Sequence, residues 1–127
     1  MSYARLVGLD GVEIILRTEE LFVIRIDDDE AAAVSTIGNF YELICSKLGI
    51  LPLQSPVTSE VLPIITHREK MFLFMSHHTP LPAPPNVLPW SPQSVWDCLV
   101  AVFVDQMGLK PDEIEYYARI AQDLGVD

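Results

Sequence analysis

The chain has 127 residues and a net charge of -10, because 18 Asp and Glu outweigh 8 Lys and Arg, and half of its residues are hydrophobic. That length suits one domain with a modest core. The charge argues against nucleic acid and anionic membranes as partners, since the carboxylates repel their phosphates, and it favours basic proteins.

The negative charge is divided between two arms. Residues 1–49 hold nine Asp and Glu against four Lys and Arg, residues 93–127 hold seven against two, and the stretch between them is balanced. Cys45 and Cys98 are isolated within apolar patterns and read as reduced core thiols. No apolar run approaches the ~18 residues of a membrane span. Residues 1–7 lack the apolar region of a signal peptide, so a cytoplasmic protein is expected.

The first predicted helix covers residues 9–22. Leu9, Val12, Ile15, Leu16 and Phe22 fall on one apolar stripe, which leaves Glu13, Arg17, Glu19 and Glu20 for the wet side. Asp10 stands in its first turn, where a carboxylate favours the positive end of the helix dipole. Phe22, Ile24 and Ile26 then alternate as in a short extended link. The run DDDEAAAV at residues 27–34 reads as a cap and a short helix. It lacks the mid-loop glycine and the twelfth-position glutamate of a calcium-binding EF-hand. Thr36 is the expected N-cap of a third helix carrying Ile37, Phe40, Leu43, Ile44 and Leu48, and Gly49 is its stop.

Nine of the ten prolines lie in residues 50–92, which breaks any long helix there. Residues 61–75 are too apolar to stay solvated, and a short helix or strand over residues 68–75 is expected to lie on the bundle. Residues 79–89 read as extended polyproline. Ser91 followed by Pro92 opens the last helix, in which Val95, Leu99, Val102, Phe103 and Met107 recur at helical spacing as far as Gly108. Trp90 and Trp96 flank its start and are expected to anchor the connector. A turn, a capped start near Pro111 and Asp112, and a loop anchored by Ile114, Ile120 and Leu124 complete the chain.

No catalytic constellation is present, so a non-enzyme is expected. His67, His77 and His78 lie in the connector. Adjacent His77 and His78 side chains diverge, and no Cys or carboxylate pair stands at ligand spacing, so no metal site is expected. There is no glycine-rich phosphate loop and no nucleophile elbow.

One pattern spans the two arms. DLGVD at residues 123–127, placed before GLDGVEI at residues 8–14, resembles the acyl carrier protein signature D-L-G-x-D-S-L-D-x-V-E. The stretch from residue 105 to 127 is similar to the first half of that family through Gln106, Gly108, Ala118, Asp123, Leu124, Gly125 and Asp127, with Ile120 where the family usually has phenylalanine. Residues 9–44 resemble the second half through Leu9, Asp10, Val12, Glu13, Glu19, Glu20, Phe22, Ile26, Asp28, Ala31, Thr36 and Ile37.

The resemblance implies an all-α, acyl-carrier-like four-helix bundle in circularly permuted order. Residues 1–49 would supply the family's second, third and fourth helices, residues 93–127 its first helix and the following loop, and residues 50–92 a Pro-rich connector packed outside. A connector of 43 residues has ample reach to close the ring. Gly8 stands where the family carries the serine that receives 4'-phosphopantetheine, flanked by Asp127 and Leu9. Ser2 would reach that place only if the residues between them looped out. The family's acidic second helix corresponds to Asp10, Glu13, Glu19 and Glu20, which are expected to face a basic partner, such as an enzyme of acyl or peptidyl metabolism. The expected function is therefore a non-enzymatic carrier-like docking module without a cofactor. Two alternatives stay open: a genuine carrier whose serine comes from a longer chain or a partner subunit, and a homodimer that exchanges ends so that DLGVD of one copy completes GLDGVE of another.

Overall fold

The structure is a computed structural model that describes residues 8–63 and 90–127. Ser2, the three histidines, the helix or strand expected over residues 68–75 and the polyproline stretch lie outside the described residues. Among those described, the fold is all-α: α1 (Leu9–Phe22), α2 (Asp28–Ala33), α3 (Ile37–Leu48) and α4 (Pro92–Met107), then a 3₁₀ turn (Pro111–Glu113) and an irregular segment.

Local chemistry sets the helix ends. Thr36 Oγ1 accepts the Asn39 amide at 3.1 Å, and Ser91 Oγ accepts the Ser94 amide at 3.1 Å with Pro92 in the first turn. Gly49 and Gly108 end α3 and α4 in the left-handed region. At α2, Glu30 reaches back to the Asp27 amide at 2.9 Å and also takes Lys47 Nζ at 2.7 Å, which ties α2 to the end of α3. α1 ends differently, on Val23 at φ 55, where a β-branched residue is strained. That turn lets Glu19 Oε2 accept the Ile26 amide at 2.7 Å and lets Phe22 and Ile26 enter the core, as the alternation predicted.

α4 is the centre of the fold. Every residue from Val95 to Phe103 is buried, with α1 and α3 both packed on it. A single stripe was expected, but a helix enclosed on all sides buries all its faces. Met107 is only partly buried. Phe40 of α3 meets Phe103 edge to face at 6.1 Å.

The predicted stripe on α1 is also corrected. Leu9 is 74% exposed and Val12 is 42% exposed, while Gly11, Ile14, Thr18 and Leu21 are buried together with Arg17. Both faces of this helix carry apolar residues, so the stripe alone could not say which one docks on α4. The small Gly11 and Thr18 lie on the buried side, and Thr18 satisfies its hydroxyl on the Ile14 carbonyl at 2.7 Å. Arg17 was expected in water, but its guanidinium is buried and bonds Asp105 at 2.7 Å and Gln106 at 3.1 Å on α4. A buried guanidinium persists only when paired in this way.

Residues 50–63 form a strap across α3 and α4. Tyr41 Oη accepts the Leu53 amide at 3.0 Å and donates to the Pro92 carbonyl at 2.9 Å. Buried Asp97 receives the Ser59 amide, the Ser59 hydroxyl and Gln93 Nε2, and Trp96 Nε1 donates to Thr58 at 2.9 Å. Trp96 thus anchors the connector. Trp90 packs on Phe22 at 4.6 Å between ring centres.

The segment after α4 folds back over the start of α3. Ile37 donates to the Ala118 carbonyl at 3.0 Å, Gly38 to Tyr116 at 2.7 Å and Ile120 to Ser35 at 2.9 Å. Ile114, Ile120 and Leu124 are buried, as their pattern predicted, and so is Val126.

Candidate functional site

Two distant parts of the chain meet at the start of α1. Gly8 is its N-cap and offers no side-chain acceptor, so the Gly11 amide donates instead to the Asp127 main-chain carbonyl at 2.9 Å. Helix N-termini leave such amides unsatisfied and carry partial positive charge, and an oxygen from elsewhere in the chain answers both. Buried Val126 anchors the approaching segment.

The approach is close enough to require glycine at position 8. A Cβ built there would lie 2.4 Å from the Asp127 carbonyl carbon and 2.6 Å from its oxygen. The backbone at Gly8 has φ -76, which any residue adopts, so the requirement is space and not torsion. A phosphodiester needs a side-chain oxygen, and glycine has none. The position therefore does not fit 4'-phosphopantetheine attachment, and no step through that group follows. Cys45 and Cys98 offer no substitute nucleophile here: both are buried, and burial pushes their thiols up to about 11 and about 12.

The four carboxylates expected on one docking face are not alike. Asp10 and Glu13 are half-buried and reach solvent, and Glu13 Oε2 accepts Gln106 Nε2 at 3.2 Å. Glu19 is engaged in the turn at Ile26, and Glu20 is 6% exposed. The structure therefore brings Asp10 and Glu13 to the surface beside exposed Leu9 and Val12, and it does not bring Glu20 there. The resulting patch is apolar with an acidic edge.

Sequence reasoning missed two groups. Asp97, which staples the strap, carries no signal beyond being a carboxylate in an apolar run. Tyr116 and Tyr117 stand in an acidic stretch, EIEYY at residues 113–117, and that combination was a readable cue. Among the described residues no three His, Cys, Asp or Glu side chains form a metal-holding group, and no helix is long and apolar enough to cross a membrane.

Set against protein-family profiles, curated proteins and solved structures, the chain gives no match in any of the three comparisons.

Proposed function

We propose that this chain is a non-enzymatic, acyl-carrier-protein-like module in circularly permuted order, which docks on a basic partner and is not itself phosphopantetheinylated. The observation that carries this reading is the meeting of Gly8 with Asp127 at the start of α1. The family signature is split between residues 123–127 and 8–13, and these are the residues that lie together. The order of contacts supports the same reading, because α4 packs on α1 and α3 while the segment after it runs on to the start of α1.

Docking is supported by the exposed side of α1. Leu9 and Val12 present apolar surface that a monomer gains nothing by exposing, and Asp10 and Glu13 at its edge complement Lys and Arg. The net charge of -10 would steer such a partner from a distance. Light scattering across concentration separates closure of the junction within one chain from exchange of ends between two copies.

A promiscuous phosphopantetheinyl transferase with coenzyme A tests both halves of the proposal. Intact mass should show no adduct on this chain, and the gain of one prosthetic group would overturn the reading. The same enzyme, given a genuine acyl carrier protein as substrate, should be slowed by an excess of this chain, and Leu9→Ala or Asp10→Asn should weaken the competition. Absence of any competition would remove the docking claim.

A further inference from the structure

We infer that the cleft between residues 54–56 of the strap and residues 113–118 of the C-terminal segment is a second docking site, whose occupant is an arginine side chain on a basic segment of a partner protein. This goes beyond the docking proposed for α1 and does not depend on it. The cleft encloses about 560 Å³. One wall is aromatic, its rim is acidic, and its contents follow from how Tyr116 is fixed.

Tyr116 is held on several sides. Its carbonyl accepts the Gly38 amide at 2.7 Å, and its hydroxyl donates to Glu42. Its ring lies where a Cβ on Gly38 would come within 2.6 Å, so glycine at that position is what lets the ring rest on α3. Trp96 packs against it at 6.2 Å and Tyr41 at 6.5 Å. Both are themselves secured by the hydrogen bonds of the strap.

Tyr117 rides on this fixed ring, edge to face at 5.0 Å, yet is 81% exposed. An exposed aromatic ring that rests on a fixed neighbour offers an electron-rich face that attracts a cation. Glu115, two residues away, is exposed and makes no side-chain hydrogen bond or ion pair among the described residues. Glu113 lies on the same wall. Asp123 is already paired with Arg119 at 2.9 Å, so it adds less.

A flat ring and a free carboxylate lining one cleft suit guanidinium better than ammonium. Guanidinium stacks on the ring while its in-plane N–H groups reach the carboxylate, whereas ammonium is compact and strongly hydrated. The chain's overall charge attracts Arg and Lys alike, so preference for Arg over Lys is the property that belongs to this cleft.

The test uses the whole chain and two fluorescein-labelled peptides, one bearing arginines spaced by Gly and Ser and the other identical but with lysines. Fluorescence anisotropy should show the arginine peptide binding more tightly. Tyr117→Ala and Glu115→Gln should each weaken it about 2- to 5-fold and bring the two peptides together. Both side chains are exposed, so folding is not at stake. Equal binding of the two peptides to the unaltered protein would overturn the inference, as would an arginine preference that Tyr117→Ala leaves intact. A preference lost in Leu9→Ala but kept in Tyr117→Ala would assign the peptide to α1 instead, ending this inference while leaving the α1 proposal standing. Self-association that Tyr117→Ala dissolves would give the cleft to a second copy and would likewise overturn it.

Discussion

α1 and α4 are of similar length and both are rich in apolar residues, yet they serve opposite ends. α4 is surrounded, and a continuous run from Val95 to Phe103 is removed from water. α1 lies at the edge, buries one face against α4, and leaves Leu9, Val12 and Val23 outside. The helix with fewer charges is the enclosed one: α1 carries Asp10, Glu13, Arg17, Glu19 and Glu20, and α4 carries Asp97 and Asp105 alone. An apolar residue in α4 contributes to stability, and one on the outer face of α1 is available for binding.

Substitution on the two helices should show this contrast most strongly. Phe103→Ala in α4 should cost about 3–5 kcal/mol in urea unfolding, whereas Val12→Ala on α1 should stay within about 0.5 kcal/mol. Equal costs would erase the distinction. The polar seam between the helices gives the next largest effect. Asp105→Asn leaves the Arg17 guanidinium buried without its counter-charge and should cost about 2 kcal/mol, reduced by the partial exposure of Asp105. Arg17→Met removes the charge and its desolvation together and should cost less. The reverse order would show that the pair itself, and not its desolvation, governs the seam.

Gly8→Ser should lower stability by about 1–2 kcal/mol, because the new Cβ must displace the Asp127 main chain. It should not create a substrate for the transferase, and intact mass checks this directly. An unchanged midpoint would mean that the junction yields freely. In the opposite direction, Val23→Gly at the end of α1 should stabilise by about 1 kcal/mol, because glycine adopts the left-handed conformation without the β-branched clash.

A last effect is in pH. Cys45, Cys98 and Tyr41 have pKa values raised chiefly by burial, and Tyr116 by its hydrogen bond to Glu42, with burial adding to it. Raised values mean that the unfolded chain loses these protons first. Stability is therefore whole below the ordinary thiol value of 9.0 and declines as pH climbs through about 11 to 12. The loss begins at about 0.4 kcal/mol for each thiol at pH 9. Thermal midpoints between pH 7 and pH 10 measure it, and a midpoint that rises over this range would contradict the assignment.

Helix ends were the most legible feature of the sequence. Thr36, Ser91, Gly49 and Gly108 act through their own torsions and hydrogen bonds within a turn, so their neighbours in sequence are sufficient to predict them. Residue 127 meets residue 8 in the folded chain, a contact that no local torsion or hydrogen bond dictates. The face that α1 buries was not legible. Leu9 and Val12 fit the helical stripe as well as Ile14 and Leu21 do, and only the shape of α4 selects between them. Arg17 was assigned to water because its partners, Asp105 and Gln106, lie nearly ninety positions away in sequence. The acidic surface was misjudged in the same way, because burial of Glu20 and the turn bond of Glu19 are decided by packing around them.

The amino-acid order by itself thus determined where helices begin and end and the acidic character of the whole, because each follows from local torsion or composition. The tertiary structure alone decided which apolar residues are core and which are surface, where the buried guanidinium finds its carboxylate, and how Tyr116 presents Tyr117 to solvent. These depend on which elements come within contact distance, and contact between residues far apart in sequence is a property of the packed chain.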